Sequence, residues 1–151
     1  MSYSQPPTAP RTAAGRAGQP SWGTTLLRMF LLLVPSLLIG NAIGGAVYAA
    51  SVSPGDYSGG WLINVVTGLL SGLALGLVLR PTLDRLAGHL VASAALSVVL
   101  LLLLLGLSRL VVPSRFDLDV GALVLGLVVS VVVQAVVAGG LWFLRARGRR
   151  D

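Results

Sequence analysis

Four long stretches of the chain are almost free of charge, and short segments rich in proline, glycine or charge separate them. The apolar stretches run about 29–50, 61–79, 89–110 and 120–144. A helix rising 1.5 Å per residue needs about twenty residues to cross a hydrocarbon core of ~30 Å, and each stretch supplies roughly that length. The pattern predicts an all-α fold, a polytopic bundle of four transmembrane helices. Residues 1–25, rich in Pro, Ala, Gly, Ser and Thr, read as a disordered tail, 26–147 as the membrane domain and 148–151 as a basic tail. The first apolar stretch is longer than a signal-peptide core, so it reads as a retained span. Pro35 lies inside it and removes one backbone donor, which predicts a kink that a bundle tolerates. Pro54, Gly55, Asp56, Gly59 and Gly60 form the first connection, Arg80-Pro81 closes the second span, and Pro113 to Asp119 form the last connection.

Composition agrees with the pattern. Of the 151 residues 55% are hydrophobic and 11% charged, with a mean hydropathy of +0.88. A soluble domain carries about 25% charged residues, so this chain has too little polar surface to coat a water-soluble globule. All eleven basic residues are Arg and all five acids are Asp, which, with the abundance of Ala, Gly, Val and Leu, suggests a high-GC bacterial gene.

The arginines orient the spans. Nine lie at one end of the expected bundle: Arg11, Arg16, Arg28, Arg80, Arg85, Arg145, Arg147, Arg149 and Arg150. Two, Arg109 and Arg115, lie at the other end with Asp56, Asp117 and Asp119. Because arginine-rich loops stay cytoplasmic, both termini are expected inside a bacterial inner or plasma membrane. The net charge of +6 follows these membrane flanks, and nucleic acid is not an expected partner.

A four-residue step recurs in three spans. Asn64, Gly68, Gly72 and Gly76 form a ladder in the second, Ser36, Gly40 and Gly44 a shorter one in the first, and Ala122, Gly126, Ser130, Gln134 and Ala138 another in the fourth. Steps of four keep residues on one helix face, and small residues there let a second backbone approach closely. The expected partner of the Gly72 ladder is the first span, through Gly40 and Gly44, because a short turn joins the two; a second copy of the chain is the alternative. Asn41 and Gln134 are the strongest polar side chains near mid-membrane, and Gln134, on its ladder, should face protein. The uniform Leu100–Leu105 run suits lipid.

Candidate chemistry is sparse. There is no Cys, no Glu and one His, so no metal site and no cofactor is expected. No ionisable side chain falls at mid-membrane, where a proton pump or voltage sensor needs one. Ser71 and His89 do not form a nucleophile–base arrangement, and His89 reads as interfacial. The expectation is therefore a non-enzymatic accessory or structural membrane component, acting through helix contacts with itself or with a larger complex in the lipid bilayer. The alternative is a channel or transporter subunit whose path is lined by Asn41, Gln134 and glycine backbone.

Overall fold

The computed structural model describes residues 20–51, 60–111 and 120–148, with side chains at all of these except 108–111. It is all-helical. Helices α1 (Trp22–Ser51), α2 (Trp61–Val78), α3 (Leu86–Val111) and α4 (Val120–Arg147) follow in order, with a short 3-10 turn at Leu83–Arg85 ahead of α3. All four are long and apolar enough to cross a membrane. Most of the expected tail, the connections around Asp56 and Asp117, and Arg11, Arg16, Arg115, Arg149 and Arg150 lie outside the described residues, as does the side chain of Arg109.

Helix α1 begins two turns before the expected span. Ser21 starts it as an N-cap: its Oγ accepts the Thr24 N–H at 3.3 Å. The helix runs through Pro35 without interruption, as proline in membrane helices can when neighbouring helices support the freed carbonyl. Helix α2 stops at Val78 because Leu79 turns extended, with φ −83° and ψ 142°. That conformation is the one favoured ahead of Arg80-Pro81. Beyond the proline, the Thr82 side chain holds the exposed Asp84 carboxyl below its usual value, and the Arg85 charge adds to the effect.

Helix α2 lies between α1 and α4, and its two buried rows face different neighbours. Gly40 of α1 lies over Thr67 and Gly44 over Ile63, so α1 and α2 run antiparallel. Gly68, Gly72 and Gly76 lie over Ser130, Gln134 and Ala138 of α4, so α2 and α4 run parallel. Helix α3 packs on α4 and α1. The core between the helices is apolar, with Met29, Leu33, Leu37, Leu75, Leu79, Leu100, Ala138 and Trp142 all buried. The first residues of α1 and α3 and the last of α2 and α4 meet at one end, here the terminal end; the opposite one is the far end.

Candidate functional site

Two tight seams and one polar bridge hold the interior, and each can be built from single residues. The first seam joins α2 to α4. A Cβ on Gly72 would stand 2.8 Å from the Val137 Cβ and 2.9 Å from the Gln134 carbonyl oxygen. On Gly68 it would stand 2.5 Å from the Ser130 carbonyl oxygen. Only glycine permits backbones this close, and in lipid such contact is what drives helices together. This corrects the expectation that the Gly72 ladder packs on the first span. The short α1–α2 turn does bring those two helices together, but through a different face of α2.

That face is the second seam. A Cβ on Gly40 would meet the Thr67 Cα at 2.7 Å, and one on Gly44 the Ile63 Cα at 2.8 Å. The hydroxyls along this row turn back on their own helix: Thr67 donates to the Ile63 carbonyl at 2.7 Å and Ser71 to the Thr67 carbonyl at 2.8 Å. A serine or threonine that bonds its own preceding turn presents mainly carbon to the neighbour, so the row packs as a small apolar surface. Ser71 is thus spent within α2 and does not meet His89.

The polar bridge joins α3 to α4. Gln134 is fully buried. Its Oε1 accepts the Ser97 hydroxyl at 2.8 Å, and its Nε2 donates to the Ser93 carbonyl at 3.4 Å. His89, Ser93 and Ser97 form a fourth four-residue row, buried along α3, which the sequence reading missed. The signal was the same four-residue step, hidden among alanines and leucines. Ser130, one turn from Gln134, is buried with no hydrogen bond to its hydroxyl.

At the terminal end His89 is buried between two indoles, its ring centroid 5.2 Å from Trp22 and 5.8 Å edge-on from Trp142. Its Nδ1 lies 2.9 Å from the Arg85 carbonyl oxygen. The lone histidine is therefore a buried packing residue on the α3 row as well as the first residue of the expected span. Trp142 is buried too and donates from Nε1 to the Leu75 carbonyl at 3.3 Å. Of the arginines read as orientation markers, the described ones, Arg28, Arg80, Arg85, Arg145 and Arg147, gather at this end, and two bind backbone. Arg145 donates to the carbonyls of Gly76 at 2.6 Å and Leu77 at 2.9 Å, closing the C-terminus of α2 where unpaired carbonyls and the helix dipole favour a cation. Arg85 donates to the Pro20 carbonyl at 3.2 Å and lies over the Trp22 ring at 5.9 Å. Arg28, Arg80 and Arg147 are exposed.

The far end is built differently. Here all four helices border a groove of about 360 Å³ that includes Leu38 and Asn41 of α1, Asn64 of α2, Leu101 and Leu105 of α3 and Gly126 of α4. Gly126 makes room for an amide: a Cβ there would come within 2.6 Å of the Asn64 Nδ2. Asn41 donates to the Leu37 carbonyl at 2.8 Å and Asn64 weakly to the Gly60 carbonyl at 3.4 Å. Asn41 and Gln134 are thus not brought together; the first borders the groove and the second is sealed between α3 and α4. The Leu100–Leu105 run is not uniformly turned to lipid either. Leu102 and Leu103 are exposed, Leu100 is buried, and Leu101, Leu104 and Leu105 line the groove, because six consecutive helical residues cover every side.

Among the described residues there is no group of three or more His, Asp or Glu side chains that could hold a metal ion. Comparison with protein-family models, with curated proteins and with solved structures gives no match.

Proposed function

We propose that the protein is a multi-pass component of a bacterial inner or plasma membrane, with both termini cytoplasmic, and that it works non-enzymatically as an accessory or structural part. The placement rests on the four apolar helices and on the gathering of Arg28, Arg80, Arg85, Arg145 and Arg147 at the terminal end. One observation carries the accessory reading. The small-residue rows and the mid-bundle amide, the features most able to do something in a membrane, are used up in holding one molecule together. What remains is an apolar periphery, with Leu31, Val91, Leu125 and Val136 among its most exposed side chains. Contacts with lipid, a second copy or a larger complex are made there.

The transport alternative has less support. A path lined by Asn41, Gln134 and glycine backbone needs these groups on one line, whereas Gln134 is enclosed, α2 covers the glycines of α1 and α4 covers those of α2. Purification from the native membrane in mild detergent tests the two readings. A foreign protein in fixed stoichiometry is expected. A pure homo-oligomer that makes liposomes permeable would overturn the accessory reading in favour of transport. Reporter fusions at residue 20, within 80–89 and at the C-terminus are expected to be cytoplasmic, and an external C-terminus would overturn the orientation.

A further inference from the structure

The far-end groove has a chemistry that neither seam shares. Among the described residues its walls are mainly leucine, with two side-chain amides and no charged group. Each amide spends one N–H on its own helix, and neither amide oxygen has a hydrogen-bond partner among the described residues. Carbonyl oxygens left unpaired at membrane depth are costly and select for a donor. Asn41 lies ten residues before the end of α1, about 15 Å along the helix. On the opposite wall Asn64 stands within one turn of the start of α2. The groove therefore offers hydrogen-bond acceptors toward the far end of the bundle and leucine around them.

From this geometry we infer that the groove binds a membrane lipid with a neutral hydroxyl, its hydroxyl donating to the amide oxygen of the exposed Asn41 and its chain lying along Leu38, Leu101 and Leu105. Three observations choose this occupant. A volume of about 360 Å³ is at the small end of ligand pockets, ~300–1,000 Å³, and a helix about 10 Å across does not enter it. Among the described residues no ionised side chain borders it, so these walls offer an ammonium or phosphate no partner. Asn41 and Leu102 are exposed at its edge, which leaves entry from the bilayer open.

The inference rests on the membrane placement proposed above but not on the accessory role. It is tested with the full chain in phosphatidylcholine vesicles, using as probes a diazirine-bearing hexadecan-1-ol and its methyl ether, which has no donor. The alcohol is expected to label peptides around Leu101–Leu105 and Gly126 saturably, with displacement by unlabelled hexadecan-1-ol. The ether should label them about fivefold less, the ratio that one membrane hydrogen bond of ~1 kcal/mol supports. Asn41→Leu, on the exposed face of α1, should bring alcohol labelling down to the ether's level without altering the melting temperature. Leu102→Trp, at the edge, should reduce labelling by both probes. Three results would overturn the inference: labelling that excess alcohol does not displace, equal labelling by alcohol and ether, or a Leu102→Cys variant that cross-links to a second copy and thereby excludes the probe. Absence of labelling at Val91 and Val136, far from the groove and highly exposed, would instead overturn the membrane placement.

Discussion

The two buried faces of α2 are alike in size and differ in what they do. The face toward α1 carries Ile63, Thr67, Ser71 and Leu75, and the glycines that make room for it belong to α1. The face toward α4 carries Asn64, Gly68, Gly72 and Gly76, and here α2 itself gives way to Val133, Val137 and Leu141. One contact joins sequence neighbours that run antiparallel; the other joins parallel helices about sixty residues apart. A small-residue ladder specifies how closely a helix can be approached but not by which helix. In this bundle proximity along the chain decides the α1 contact, and the fit of glycine against a valine and leucine row decides the α4 contact.

The difference can be broken most sharply at Gly72. A side chain there meets both Val137 and the backbone of Gln134, so Gly72→Ile should lower stability by ~1–3 kcal/mol, the usual range for overpacking. Equilibrium unfolding in mixed detergent–SDS micelles reads this, and a variant as stable as the parent would mean that α2 and α4 are not so closely packed. Leu73→Ile, next to it and on the exposed side of α2, should be nearly silent in the same assay.

Partner choice is tested by cross-linking. Asn64→Cys with Gly126→Cys puts a thiol on each side of the first contact and removes the amide that would clash. A disulfide should form readily, whereas Asn64→Cys with Gly40→Cys should not. The reverse outcome would restore the first span as the partner of the ladder. A smaller effect is expected at Gln134. Gln134→Leu loses the bonds to Ser97 and Ser93 and should cost about 1 kcal/mol in the same unfolding measurement. The smallest is expected at Gly45, Gly106 and Gly140, where an added Cβ meets nothing within 4 Å. Alanine at each should change stability by less than ~0.5 kcal/mol; a large loss at any of them would point to a contact with a second molecule.

Much of the fold was legible because a bilayer-crossing length sets the size of apolar helix to look for and helical period fixes faces. The four long apolar helices and the small-residue rows of α1, α2 and α4 all followed from those two rules. The partner of Gly72 did not follow, since a period of four marks a face without naming its neighbour. Nor did the α3 row, where His89, Ser93 and Ser97 carry the step but a leucine-rich sequence gives them no contrast. Arg145 was legible as a marker of orientation; its bonds to the α2 carbonyls were not, because they depend on where α2 stops. Of the far-end groove, Asn41, Ala122 and Gly126 stood out as polar or small positions, and its α3 leucines only as part of the Leu100–Leu105 run. Asn64 was noticed as the top of the glycine row, and its role as a groove amide needed the position of α4.

The parallel pairing of α2 with α4 also sets a clock on assembly. Leu141, which covers Gly76, is synthesised about 65 residues after it. At ~5–20 residues per second this is a delay of roughly 3–13 s. During that interval α1 and α2 can form their hairpin, but the glycine face of α2 stays without its final cover. A nascent chain stopped after residue 111 should therefore leave Gly72→Cys open to a lipid-soluble thiol reagent, and a chain released after Arg147 should protect it. Equal reactivity in the two would mean that something else shields that face while it waits.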